Sequence, residues 1–290
     1  MKMKLSLLLC CAGLLLFSCT KTEIETVSDN IAPPDRTIET VTIENYVTRT
    51  YILALGREPN ATEFNTATSL LVAAKLDSSS RAQFLNIVFS DPAYLPQVYA
   101  QNKIDLLNNI DTAEFTTLIA IWNFLIADTT NAFLVPYLEL EIDRMTEMQS
   151  AFSMFSSGTI NLAELHRRMC NNSIYDEINM GSANFVISSF QHLLNRNPTN
   201  AEQNAGISMV DGGNSILFLQ AGLSKNDYLN ILTHTNNYYE AQVVFLYRKY
   251  LNRAPNTQEM SAGTAKYSTS SDYTIVQKDL LSSNEFIGIQ

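Results

Sequence analysis

The sequence predicts an all-α protein, a multi-helix array carrying three repeated helix–LxRxP corner–helix units. Three observations point there: apolar residues recur at helical spacing, helix-start signals are dense, and one nine-residue motif occurs three times. The chain has 290 residues, 46% apolar and 10% aromatic, too many for a disordered polymer and enough for one large domain or two smaller ones. With 19 Lys and Arg against 29 Asp and Glu, the formal charge is −10. Phosphate-backbone binding needs clustered cations, so no nucleic-acid partner is expected.

At the N-terminus, Lys2 and Lys4 precede an apolar run of 13 residues, Leu5 to Phe17. That is too short to cross a ~30 Å hydrocarbon core as a helix and suits a secretory signal. Its end, Leu16-Phe17-Ser18-Cys19, resembles the lipobox of bacterial lipoproteins, with an aliphatic residue at −3, a small residue at −1 and Cys at +1. Phe17 departs from the pattern, whose −2 position is more often small or β-branched. The resemblance implies that 1–18 is a signal peptide cut by signal peptidase II and that Cys19 is the lipid attachment site, holding the protein to the membrane by its acyl chains. Thr20 in place of Asp implies, by the enterobacterial sorting rule, the outer membrane. Cleavage removes two of the 19 basic residues and no acid, leaving 17 against 29, or −12. Cys10 and Cys11 leave with the signal, so Cys170 is the one remaining thiol and no internal disulfide can form. Residues 19–37, with Pro33-Pro34, read as the acylated Cys and a flexible tether.

Helices follow in three regions: an N-terminal region 38–130, long connecting helices 131–170, and a C-terminal region 171–290. Ile43, Tyr46, Val47, Tyr51, Ala54 and Leu55 fall on one helix face, as do Val243, Leu246, Tyr247, Tyr250 and Leu251. Ala183, Val186, Ile187, Phe190 and Leu194 do the same. Asp91-Pro92 reads as an N-cap with Pro at the first helical position. Asp111…Glu114, Asn161…Glu164 and Ser282…Glu285 have capping-box form, and Ser224…Asp227 is a weaker relative. Roughly a dozen helices are expected, Val135–Phe155 being the longest. Ser215–Gln220 is the one run that suits a strand.

The repeated motif is L-[GN]-R-x-P-[NT]-x-x-E. Its copies are Leu55-Gly-Arg57-Glu-Pro59-Asn60…Glu63, Leu194-Asn-Arg196-Asn-Pro198-Thr199…Glu202 and Leu251-Asn-Arg253-Ala-Pro255-Asn256…Glu259. Each has an aromatic four residues before the Leu: Tyr51, Phe190 and Tyr247. The spacing is uneven, 139 residues from Arg57 to Arg196 and 57 from Arg196 to Arg253, so extra helices separate the first copy from the others. Every position suits a tight helix-to-helix corner. Leu closes the buried face, and Gly or Asn takes the left-handed C-terminal position. Arg meets the negative end of the helix, and Pro ends it. Asn or Thr caps the next helix, and Glu completes the capping box. A second block recurs as Phe84-Leu-Asn-Ile-Val88 and Tyr228-Leu-Asn-Ile-Leu232.

LYRKYLNRAPNTQE, ILALGREPNATEF and the LLSSNEF tail resemble the helical LxRxP repeats of the phycobilisome-linker-like superfamily, also found in domains of unknown function in secreted bacterial lipoproteins. Asn replaces the usual Gly in two copies. The resemblance covers about half the chain and implies a helical assembly or binding module; it implies no catalytic residue.

No catalytic set stands out. His166, His192 and His234 form no metal-binding pair, and there is no CxxC, GxSxG or P-loop, so no metal or cofactor is expected. His166 in ELHRRM reads as part of a solvated helix face, and Trp122 as core. Basic neighbours of Cys170 could lower its thiol pKa, though a structural thiol is the simpler reading. Asp211–Asn214 reads as a turn. Tyr94, Tyr238 and Tyr239 are candidates for an exposed recognition surface. The expected function is a non-enzymatic lipoprotein of the cell envelope binding a protein partner. The alternatives are a glycan-binding lipoprotein of a nutrient-uptake system and an unrecognised hydrolase, which would need two carboxylates in one pocket.

If Cys19 carries the lipid, Cys19→Ala abolishes incorporation of a clickable fatty acid and moves the protein out of the membrane fraction; unchanged labelling would reject the site.

Overall fold

The computed structural model describes residues 38–289. The signal peptide, Cys19 and the tether therefore lie outside the described residues. From Ile38 onward the chain is one compact unit, an all-α multi-helix array. It has fifteen α-helices among the described residues and one two-stranded hairpin. The first four helices are α1 (Thr40–Leu55), α2 (Ala61–Ala73), α3 (Ser78–Phe89) and α4 (Tyr94–Leu107). An antiparallel pair follows, α5 (Thr112–Ala127) and α6 (Val135–Ser156), then α7 (Leu162–Cys170) and α8 (Ser173–Ile178). Next come α9 (Ser182–Leu194), α10 (Asn200–Val210), β1 (Ser215–Leu217) and β2 (Gln220–Gly222). The last are α11 (Lys225–Thr233), α12 (Asn236–Leu251), α13 (Thr257–Ser270), α14 (Tyr273–Leu281) and α15 (Asn284–Ile287). The count exceeds a dozen because helices as short as α8 and α15 show no apolar period. At 22 residues α6 is the longest, as its sequence predicts.

The run 215–220 forms not one strand but a hairpin, with Ser215 opposite Gly222 and the turn at Phe218-Leu219. Both turn residues have positive φ, 49° and 64°, as a two-residue turn of this hand requires. Four start signals also resolve differently; at Asp111 the carboxylate accepts from the Ala113 N–H at 2.9 Å and Glu114 closes no box. Asp91 caps a turn by accepting from the Ala93 N–H at 2.7 Å, so α4 begins at Tyr94 and Pro92 precedes it. The last helix is capped by Ser283 rather than Ser282. Asn161 caps α7, but Glu164 turns to arginines instead of closing a box.

One contiguous core runs through all three sequence regions. The two ends of the array meet in it. Tyr46 of α1 packs edge-on against Phe84 of α3 at 5.2 Å and Phe286 of α15 at 6.0 Å. Arg49 donates to the Phe286 carbonyl at 3.0 Å, and Arg81 to that of Ser282 at 2.9 Å.

The three corners make the same bonds. Gly56, Asn195 and Asn252 sit in the left-handed region at φ 69°, 52° and 54°. Asn60, Thr199 and Asn256 each form a full capping box with Glu63, Glu202 and Glu259. The corner Arg clamps that Glu with both Nη atoms at 2.6–2.8 Å. Its Nη1 also donates, at 3.1 Å each time, to the carbonyl of the residue that follows it. The expected contact with the last helical carbonyls is thus replaced by one inside the corner. The aromatic six residues earlier has a clear role: the guanidinium lies 5.5, 5.0 and 5.3 Å from the ring centres of Tyr51, Phe190 and Tyr247. Leu55 and Leu194 are buried as expected, while Leu251 is half-buried. Gly56 has a local reason: a Cβ there would lie 2.6 Å from the carboxamide of Gln97 on α4.

Beyond these shared bonds the corners differ. Arg57 also binds Asp91 at 2.8 Å, and Arg253 binds Glu285 at 2.6 and 2.7 Å. Arg196 has no second carboxylate among the described residues; the Phe218 ring stands 6.0 Å away instead. Arg196→Ala is expected to cost about 1–2 kcal/mol, from a weakened cap and a half-buried ion pair. Arg57→Ala and Arg253→Ala should cost more, read as urea midpoints at constant m; three neutral substitutions would mean that the pairs do not hold the corners.

Candidate functional site

The helices that end in the three corners, α1, α9 and α12, converge with α4, α7 and α14 around one cleft of about 450 Å³. None of the corner Arg or Glu side chains lines it; they hold the helices from outside. Several of its polar groups are fixed from behind by buried tyrosines. Gln277 accepts from the Tyr94 hydroxyl and donates to that of Tyr250 at 2.7 Å. The Tyr175 hydroxyl pairs with His192 Nδ1 at 2.9 Å. Tyr94 and Tyr238 are therefore core, and Tyr239 is half-buried against Tyr238 and Tyr267, not the exposed surface the sequence suggested.

His166 corrects the sequence reading most sharply. It is buried, not on a solvated face. Asn102 donates its amide N–H to the Val98 carbonyl at 2.8 Å, which aims its Oδ1 at His166 Nε2, 2.6 Å away. His166 thus carries its proton on Nε2 and accepts from the Tyr238 hydroxyl at Nδ1, 2.9 Å away. Burial pushes its pKa down to about 3, so the ring is neutral at physiological pH. Burial also lowers His192. The arginines that made ELHRRM look solvated are buried too. Arg167 is held by Glu164 and Glu147, and Arg168 by Glu164.

The charges of the cleft are few. Asp105 is the one carboxylate in its lining, and it accepts from Gln101 at 3.0 Å. Arg248 and Lys249, on α12, line the cleft without an ion pair to any described residue. A single carboxylate does not supply the acid and base pair of a glycosidase. Cys170 is fully buried, and burial pushes its thiol up to about 12, so its basic neighbours do not activate it. Among the described residues no cluster of His, Cys, Asp and Glu could hold a metal ion.

A second feature is the α5–α6 hairpin. Along its 16 residues α5 buries only Phe115, although its sequence is strongly apolar. Phe124 is 77% exposed, Phe133 79% and Tyr137 61%. From Phe115 to Leu138 the only charged residue is Asp128. Trp122 lies on this hairpin, half-buried rather than in the core. The readable signal was apolar residues on every face of α5, which a helix on a protein surface does not need. No single helix among the described residues is long and apolar enough to cross a membrane.

Compared with known proteins, the chain matches no family model, no curated protein and no solved structure.

The neutral histidines set a pH dependence. An unfolded His titrates near ~6.5, whereas folded His166 titrates at about 3. Between these values the unfolded state holds the extra proton, so stability falls as pH drops, by up to about 1.4 kcal/mol per pH unit for one proton. Glu202 and Glu259 are lowered to about 2 by their arginines, so their contribution is lost only at more acid pH, below the ordinary carboxylate range. The urea midpoint of the wild type should therefore decline between pH 6.5 and 4.5. His166→Gln should flatten that decline, even from a lower starting stability; an equal slope in both would reject the assignment.

Proposed function

We propose that the protein is a non-enzymatic, lipid-anchored module of the bacterial cell envelope that docks a protein partner through the α5–α6 hairpin. Lipidation at Cys19, with export to the outer membrane, supplies the anchor. The observation that carries the docking reading is the hairpin tip, with Phe124 and Phe133 more than three-quarters exposed. Burying those two rings would contribute about 3–6 kcal/mol to an association. The partner is a protein rather than the bilayer because exposed acids stand along the hairpin: Asp128 at the tip, Glu139 and Asp143 on α6, and Asp111 and Glu114 at the start of α5. They would be pressed against anionic headgroups if the tip inserted, whereas an apolar groove with a basic rim complements them. A second reading, a ligand-binding lipoprotein of a nutrient-uptake system, is favoured by the central cleft. The hydrolase reading has only Asp105 in that cleft to support it.

The test is a crosslinked pull-down of the full-length protein from detergent-solubilised native membranes, with Phe124→Ser/Phe133→Ser as the matched variant. A stoichiometric envelope protein whose recovery falls about tenfold or more in the variant, as loss of two anchor residues implies, supports the proposal. Equal recovery by both, or no partner, sinks it. Flotation of the Cys19→Ala protein with anionic vesicles would reassign the hairpin to the bilayer.

A further inference from the structure

The cleft contains groups that the fold leaves unused. Gln242 of α12 is only 7% exposed and lines the cleft, yet its carboxamide bonds no described residue. Its polar atoms are not sealed from solvent, and they are free to pair with a molecule held in the cleft. Two other carboxamides of the lining are already committed. Asn102 spends both ends on Val98 and His166, and Gln277 on Tyr250 and Tyr94. These fixed amides shape the wall, while Gln242 keeps both a donor and an acceptor free.

Beside Gln242, Arg248 and Lys249 bring two positive charges against the single negative charge of Asp105. The excess is positive in a chain whose net charge is −10. Lys249 is exposed at the cleft, stands 5.3 Å from the Tyr250 ring centre and has no counter-charge among the described residues. Phe245 and Tyr273 add apolar faces at the same cleft. The volume of about 450 Å³ lies within the range of small-molecule pockets, ~300–1,000 Å³.

Each of these observations constrains the occupant. Unspent amide groups that both donate and accept suit hydroxyls, which do the same at one oxygen. The unpaired cations ask for a carboxylate. The aromatic faces ask for an apolar ring surface carried by the same molecule. We infer that the cleft binds a small acidic saccharide, a uronic acid or a short oligomer of one, with its carboxylate at Lys249 and Arg248 and its hydroxyls on Gln242. This deepens the ligand-binding reading of the cleft and is independent of the hairpin.

The experiment is isothermal titration of the full-length protein in detergent with digalacturonic acid and D-glucuronic acid. Cellobiose serves as the neutral saccharide and the dipeptide Ala-Glu as the acidic non-saccharide. Wild type is compared with Gln242→Ala and Lys249→Met. Neither side chain's polar end bonds a described residue, and the melting curve of each variant checks that it folds. The expected result is saturable binding of an acidic saccharide, weakened about tenfold or more by Lys249→Met and measurably by Gln242→Ala. Cellobiose and Ala-Glu should bind about tenfold or more weakly. Cellobiose binding as well as the acidic sugars would overturn the inference while leaving a ligand-binding cleft. Absence of saturable binding by any saccharide would overturn both, and acidic-sugar binding unchanged in both variants would place the site elsewhere.

Discussion

At each corner one carboxylate does two jobs. Oε2 of Glu63, Glu202 or Glu259 accepts the N–H of the residue that caps its own helix, at 2.7–2.8 Å. The same carboxylate holds both Nη atoms of the Arg at the end of the preceding helix. That Arg is pressed on an aromatic ring one and a half turns back along the helix. The end of one helix and the start of the next are therefore referenced to a single group, and the angle between them has little freedom left. An exposed ion pair alone would add little. Here it is joined to a cap and a ring contact, so its main effect is geometric.

The cleft depends on that geometry. Three of its six wall helices lead into the corners, and small rotations of any of them would alter which residues face inward. The link is closest at the first corner, where the absence of a Cβ at Gly56 leaves room for the Gln97 carboxamide, which itself lines the cleft. Asn195, the left-handed residue of the second corner, lies in the lining as well. Tyrosines buried behind the wall complete the arrangement by fixing His166, His192 and Gln277. Repetition of the corner therefore has a structural consequence: it directs three similar helices toward one space.

The helical class was legible because its signals are local. The face made by Ile43, Tyr46 and Val47, and the boxes at Asn60, Thr199 and Asn256, need only a few neighbouring residues to be read. The cleft was not legible, because Gln97 and Gln242 are far apart in the chain and an amide on a helix reads as solvent-facing. His166 was misread for a related reason. Arg167 and Arg168 beside it suggest water, but Glu147 arrives from α6 to help neutralise Arg167 in a buried setting. Trp122 was misread in the opposite sense, since apolar neighbours in sequence imply a core only if another element covers them. Nothing among the described residues covers the outer face of α5.

The uneven spacing of the corners acquires meaning from these placements. The 139 residues between the first and second Arg exceed the 57 between the second and third by 82. That excess includes α5 and α6, which form the apolar hairpin, and α7, which carries His166 into the cleft. The base of the inserted pair is fastened to α7 by Glu147 and Arg167, and to α4 by the contact of Phe152 with Tyr99 at 5.0 Å. One insertion thus builds an exposed surface at its tip and part of an internal wall near its root. A partner gripping the tip would pull on α6, whose Glu147 neutralises an arginine one residue from His166. The two surfaces share a rigid element, so occupancy of one can bias the other only to the extent that this buried charge network has two arrangements.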